Sequence, residues 1–476
     1  MSVRGPLALG YAQQRSKPVN AARLVNLYAE AAPPEGSRTK VVLYGTPGQK
    51  EWRTIGGDTI RDGIEAQGVA YILSGTILYK TESDGTTTAC SGDLIPPTGD
   101  ATLINNGTQI GLLVVPDLFV IVGTTVTKVT SAGYPTEGLS SLAYIDGYAV
   151  GTRNDASGQF YISALIDFSS WDALDVGNAE SNPDGLIRVL VDHREVWLFG
   201  DQTTEVWANT GASPFPFERV PGALLERGCA ARRSPAKMDN SVFWLGDDRI
   251  VYRAEGYQPV RISTHAIEEV LRVGTVSDAY GMTYFQGGHH FYVLTLPSIG
   301  RTFVFDPAAS AAAGMAIWHE RQSGTSLEPA VWAVQCIFHA YGKTLVGLQV
   351  GRVAELDLDT YTDLGEPIRS AIVGMPFFAD GLRAMMVDYE IECELGVGLS
   401  TGQGSDPEVM MRYSDDGGFN WSPERRASIG RMGVRLIRAM WDRLGTFRQR
   451  TVEISISDPV KRAFYGMRTA IRPLSR

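Results

Sequence analysis

The residues of this sequence able to do chemistry are few, and their spacing argues against most of it. Six histidines are present. His289 and His290 are adjacent, so on a strand they point to opposite faces and cannot share one metal. His193, His265, His319 and His339 have no partner at ligand spacing, and no H-E-x-x-H occurs. Cys90, Cys229, Cys336 and Cys393 are widely separated without a C-x-x-C pair. That pattern reads as free buried thiols rather than a disulfide frame or a metal site. Gly342-Lys343-Thr344 looks like the end of a phosphate loop, but Ile337 stands where the loop needs its first glycine. Its flanks read as strands, with no helix N-terminus to receive phosphate. No G-x-S-x-G elbow is present. Paired carboxylates occur at Asp247-Asp248, Asp415-Asp416 and Asp357 with Asp359. A glycosidase uses such a pair, yet these lie beside glycine or in polar stretches where acids build turns. The expectation is a chain without catalytic residues, metal or cofactor.

Two features near the C-terminus are more specific. Ser414-Asp415-Asp416-Gly417-Gly418-Phe419-Asn420-Trp421 fits S-x-D-x-G-x-x-W, which resembles the Asp-box turn of sialidases and other propellers. Its mechanics are local: Ser414 and Asp416 bond nearby backbone N–H groups, Gly418 permits positive φ, and Trp421 packs under the hairpin. Such a box is structural even in enzymes. The second feature is charge. Residues 421–476 hold thirteen Arg or Lys against four Asp or Glu, a surplus of nine, which leaves −19 for residues 1–420 of a chain whose net charge is −10. Arg435, Arg438, Arg443, Arg448 and Arg450 lie in the densest part, with Trp441 and Phe447 interleaved. Three readings stay open for this face: a contact between subunits, a surface facing DNA, or solvated sheet.

The elements that carry these residues follow from composition and periodicity. The chain has 476 residues, 44% hydrophobic and 20% charged, with 52 glycines. It is large enough for two or three cores and too apolar for disorder. No signal peptide is evident. The longest apolar stretch, residues 111–122, is broken by Pro116-Asp117 and is far short of the ~20 residues of a spanning helix; no membrane insertion is expected. Apolar runs recur between turn residues, centred on Tyr148, Trp197, Trp244, Tyr292 and Leu345, at steps of 49, 47, 48 and 53 residues. Gly200-Asp201 and Gly246-Asp247 repeat at a separation of 46. A period of about 40–50 residues filled with short strands is that of propeller blades. One helix is predicted at residues 265–273 after Ser263-Thr264, on a connection between blades. Past Tyr361 the period is lost. Residues 451–457 then alternate strictly, with Val452, Ile454 and Ile456 on one face and Glu453, Ser455 and Ser457 on the other. The expected architecture is all-β: an N-terminal arm (1–45), a propeller-like body of six or seven blades (46–365) and a basic, jelly-roll-like β-sandwich (366–476).

Four stretches, in order along the chain, carry a family resemblance. Val25-Asn26-Leu27-Tyr28-Ala29-Glu30 is followed by Tyr44-Gly45-Thr46-Pro47-Gly48. Phe160-Tyr161-Ile162-Ser163, Trp171 and Ala179-Glu180-Ser181-Asn182-Pro183-Asp184-Gly185 precede the 196–207 hairpin. Arg412-Tyr413-Ser414-Asp415-Asp416-Gly417-Gly418 leads to Trp421, and Trp441-Asp442-Arg443-Leu444-Gly445 to Ile454-Ser455-Ile456-Ser457-Asp458-Pro459. Together they resemble the tail hub, or nozzle, of short-tailed phages, the packaged DNA stabilisation protein. The resemblance implies a virion protein without enzymatic activity, assembled in the bacterial cytoplasm. It implies a hexameric ring below the portal adaptor that extends the DNA channel, retains packaged DNA, and carries tail spikes or fibres and a plugging needle. Double-stranded DNA would pass through the lumen without specific binding, since an acidic wall repels phosphate. A glycan-cleaving or glycan-binding propeller of the tail tip is the alternative.

Overall fold

The computed structural model describes residues 2–5, 7–33, 35–179, 182–379 and 381–474; Glu180 and Ser181 of the stretch quoted above lie outside them. Seven small antiparallel sheets follow one another, at residues 60–89, 101–128, 139–178, 186–225, 236–261, 280–320 and 336–357. Blades 1 to 7 form a closed ring, because the first strand of blade 7, Cys336–Ala340, lies against the first strand of blade 1, Ile60–Ala66. Closure leaves seven interfaces between blades, and each has its own apolar core. Between blades 4 and 5, for example, Trp197, Phe199 and Val206 pack on Val242, Trp244 and Tyr252. A single four-stranded sheet has two apolar faces and can bury neither alone, so the ring is the stable state.

The run centres read from the sequence are all second strands: Tyr148–Arg153, Glu195–Gly200, Ser241–Leu245, His289–Leu296 and Lys343–Gly347. A second strand is covered on both faces by neighbouring blades and so reads as an unbroken apolar run. The predicted helix is present as His265–Val273 (α1), between blades 5 and 6. Its Thr264 makes no capping bond; Ser263 Oγ donates to Glu268 instead, at 2.7 Å. A second helix, Pro307–Ala313 (α2), lies within blade 6. Asp306 caps it by accepting from Ala309 N–H, Pro307 opens it, and Gly314 closes it in the left-handed conformation.

Two features depart from the expected plan. The last blade is completed by a strand from the start of the chain, Gly48–Thr54, paired antiparallel with Arg352–Asp357. In addition, the first forty-five residues are no detached arm, for they are woven into the sandwich. Ser2–Gly5 and Val41–Gly45 both pair with Ala463–Pro473, Leu27–Ala31 pairs with Val41–Gly45, and Arg23–Val25 pairs with Ser370–Val373. The physical reason is burial: Leu24, Leu27, Ala29 and Leu43 all sit in the sandwich core beside Met386, Trp441, Ile454 and Phe464. Strand Gln449–Ile456 also departs from simple alternation. Its polar face is buried too, with Glu453 ion-paired to Arg369 and to Arg412.

Strand Arg23–Val25 does a second job. It pairs in parallel with the outer strand of blade 6, Trp318–Glu320, so one ten-stranded sheet runs from propeller into sandwich. The next residue, Asn26, is fully buried at φ 51°. Its Nδ2 donates to the carbonyls of Gln322 (2.9 Å) and Arg369 (2.8 Å), and its Oδ1 accepts from Gln322 N–H at 3.1 Å. Its backbone carbonyl accepts from Thr46 N–H and Ser370 Oγ. One side chain thus ties the exit of blade 6 to the start of the sandwich. Around it, Glu320 is held by Arg23 (2.7 Å) and Arg301 (2.7 Å), and Arg321 donates to Pro47 O at 2.8 Å. Gly48 completes the seam, since a Cβ there would stand 2.3 Å from the Thr360 carbonyl oxygen.

Replacing Asn26 by Ala is expected to cost roughly 3–5 kcal/mol, from orphaned buried groups plus a left-handed conformation. Asn26→Gly, which accepts that φ, should cost about 1 kcal/mol less. Chemical denaturation of both variants checks the order; Ala tolerated better than Gly would contradict it. Buried His319, on the same strand as Glu320, is held down to about 3 by burial and by Arg321 and His289. Its folded value lies below the ordinary 6.5, so its contribution is intact above pH 6.5 and is lost as pH falls from there toward 3. At pH 4.5 the penalty is about 3 kcal/mol. Thermal melts should therefore show His319→Gln with a flatter decline than wild type between pH 6.5 and 4.5.

Candidate interfaces and the propeller axis

The arginines singled out in the sandwich divide sharply. Arg450 is 1% exposed. It makes a two-pronged ion pair with Asp415 (2.7 and 2.7 Å), donates to Leu444 O (2.6 Å), and lies on the Tyr413 ring at 4.0 Å. Its guanidinium is fully engaged within the chain, so it offers nothing to a second subunit or to DNA. Here the sequence reading is corrected: Arg450 points into the sandwich, not out of it. Arg438 is exposed but bidentate to Glu390 (2.5 and 3.0 Å). Arg435, Arg443 and Arg448 are exposed, and among the described residues their guanidinium groups make no hydrogen bond or ion pair.

The 414–421 turn sits beside Arg450, because Asp415 belongs to it. Ser414 Oγ donates to Asp416 Oδ1 (2.7 Å) and accepts from Gly418 N–H (2.7 Å). Asp416 also accepts from the N–H groups of Phe419 and Asn420, both at 3.0 Å. These donors, chiefly Asn420 N–H, hold its carboxyl down to about 2. Gly417 and Gly418 have φ of 81° and 92°. The Trp421 ring carries the Arg412 guanidinium at 4.7 Å. Both carboxylate oxygens of Asp416 are thus occupied in shaping the turn.

Residues 429–438 follow as an irregular loop. Gly396 N–H donates to Ile429 O (2.8 Å) and Gly433 N–H to Gly396 O (3.0 Å), which fixes its base. Met432, Val434 and Leu436 nonetheless face solvent, Leu436 completely, with Arg431 and Arg435 between them.

In this setting the family can be read. Residues 3–361 match the family model described as "Bacteriophage P22 Gp10, beta-propeller", and residues 372–472 match "Bacteriophage P22 Gp10, beta-sandwich". The chain belongs to the P22 Gp10 family. As a member of that family it is a structural protein of a phage tail. The curated proteins contain no match to its sequence. Several solved structures are similar to the chain at low identity. PorZ of Porphyromonas gingivalis, from its type-IX secretion system, is 11% identical with a TM-score of 0.38, over 81% of this chain and 46% of PorZ, less than half its length. The N-terminal domain of Nup159 is 12% identical (0.39; 69% of this chain, 98% of that one). Virginiamycin B lyase of Staphylococcus aureus is 10% identical (0.39; 69% and 98%).

The remaining candidates of this P22 Gp10 family member fall into supporting roles. Asp247 accepts from Gly228 N–H (3.0 Å), and Asp248 from Tyr252 OH (2.6 Å), both at a blade 5 turn. His289 is buried against Asp306 at 2.8 Å, while His290 is half-buried. No helix of the described residues is long and apolar enough to cross a membrane.

One cluster escaped the sequence reading. At the face where the chain runs into each innermost strand, Arg61 of blade 1, Asp100 before blade 2, Arg188 of blade 4 and Arg232 and Arg233 before blade 5 converge. Asp100 lies 3.8 Å from Arg232 and 4.0 Å from Arg233. Arg233 stacks over Tyr280 of blade 6 at 4.9 Å. No linear spacing signals this, because the residues come from separate blades.

Substitution separates the two kinds of arginine. Arg450→Ala leaves Tyr413, Phe447 and Asp415 without their partner and should cost roughly 3 kcal/mol. Arg443→Ala and Arg448→Ala should stay within about 0.5 kcal/mol. Denaturant midpoints of the three variants test this.

Proposed function

We propose that this protein is the hub subunit of a short phage tail, oligomerising into a ring, most simply a hexamer, below the portal adaptor. There it extends the DNA channel, retains packaged DNA, and anchors tail spikes or fibres and a needle. The observation that carries the reading is the match of both domains, in order, to the P22 Gp10 family. The geometry supports it in two ways. First, the 429–438 loop is fixed at its base while presenting Met432, Val434, Leu436 and the unpaired Arg435, so little ordering entropy remains to oppose docking. Three exposed apolar side chains on one short loop point to a protein partner. Secondly, residues 1–420 carry −19 and residues 421–476 carry +9. The basic sandwich of one subunit would face the acidic body of the next, and the remaining acidic surface would let DNA slide rather than stick. Assembly on particles in the host cytoplasm follows from the same reading.

The reading predicts that Arg435→Glu with Leu436→Asp gives a monomer with wild-type melting behaviour, since both residues are exposed. It should not form rings by native mass spectrometry, and DNA-filled particles supplied with it should leak DNA. Ring formation and DNA retention at wild-type levels would remove this loop from the interface.

A further inference from the structure

We propose that the axis of the propeller, at the face where the chain runs into the innermost strands, holds a small doubly charged oxyanion of the phosphate class, gripped by Arg188 together with Arg232 and Arg233. This site does not depend on ring assembly.

The argument begins with charge. Four arginines (Arg61, Arg188, Arg232, Arg233) meet two carboxylates (Asp62, Asp100) on one axis. That is a local cationic surplus inside a region carrying −19. Each cation's partners can be traced. Arg61 spends its donors on three neutral carbonyls, Gly75 O (2.8 Å), Pro96 O (2.6 Å) and Gly99 O (2.7 Å), so its charge is fixed in place and not cancelled. Arg232 and Arg233 share a single carboxylate at the outer limit of an ion pair. Asp62 faces Arg188 and Arg233 as a charge without bonding either. Its oxygens accept from Gly63 N–H (2.9 Å) and Leu103 N–H (2.8 Å), and burial raises its carboxyl to about 6, so it still counts as one negative charge at neutral pH.

Arg188 is left. It stands on the innermost strand of blade 4, and its Nε is buried without a hydrogen-bond partner. Among the described residues its guanidinium forms no ion pair. Burial lowers its proton affinity and the neighbouring Arg233 lowers it further, together outweighing the pull of Asp100 and Asp62 in the other direction. A buried guanidinium N–H without an acceptor is costly, and a fork of N–H donors matches an oxyanion bidentately. The site is also reachable: the side chains of Arg232, Arg233 and Asp100 are 36%, 37% and 34% exposed. Two uncompensated positive charges call for two negative ones, hence phosphate or a phosphate monoester.

The test is titration of the full-length protein with inorganic phosphate, with chloride holding ionic strength constant, read by calorimetry and melting temperature. Saturable binding with a rise in melting temperature is expected. Arg188→Gln should weaken it at least tenfold, Arg188→Lys less, and Arg435→Gln not at all. If Arg188→Gln does not fold, Arg232→Gln carries the same expectation. No saturable binding, or equal binding by wild type and the axial variants, would overturn the proposal. Succinate binding as tightly as phosphate would overturn the assignment to phosphate chemistry.

Discussion

The fold depends on one buried side chain holding two domains at a chain crossing. Asn26 adopts a left-handed conformation that lets the chain leave the ten-stranded sheet and enter the other sheet of the sandwich. Its amide then bonds the carbonyls on either side of the junction. Without it, Gln322 and Arg369 would keep buried carbonyls with fewer donors, at a cost of about 1–3 kcal/mol each. The motif after it serves the same seam: Gly45 N–H bonds Arg462 O, Thr46 N–H bonds Asn26 O, and Gly48 N–H bonds Thr360 O. Propeller and sandwich are therefore tied together through this seam.

The same crossing dictates the order of assembly. Strand Gly48–Thr54 closes blade 7, and strands before it complete the sandwich. Apart from the local pairing of Leu27–Ala31 with Val41–Gly45, these early strands find their partners only among residues 320–473. Such pairing is non-local, which slows folding. Six of the seven apolar layers join blades consecutive in sequence, the seventh closing the ring between blades 7 and 1, and all repeat the same solution, a run buried on both faces.

What could be read from the sequence follows this division. The second strands showed themselves as apolar runs because both their faces are covered, and blades 3 to 7 stood out accordingly. α1 was legible from Ser263-Thr264 just before it. α2 carries Asp306-Pro307 before a run of alanines and Gly314, a helix signal that was overlooked. The arm was misread since its strands are short and lie among Pro and Gly, and most of their pairing is with residues more than 300 positions away. Arg450 was misread because a buried arginine and an exposed one look alike until Asp415 is placed against it. The axial arginines were invisible for a simpler reason: ring closure, not linear spacing, brings them together.

The unpaired cations at the sandwich surface, the apolar loop beside them and the acidic remainder are the features that the proposed ring around DNA would bring together. Cryo-electron microscopy of tails isolated from virions tests this most directly. The account predicts several symmetry-related seven-bladed rings, each with its sandwich in contact with the next copy, surrounding the DNA path. A single copy at the tip, or absence from the particle, would contradict it.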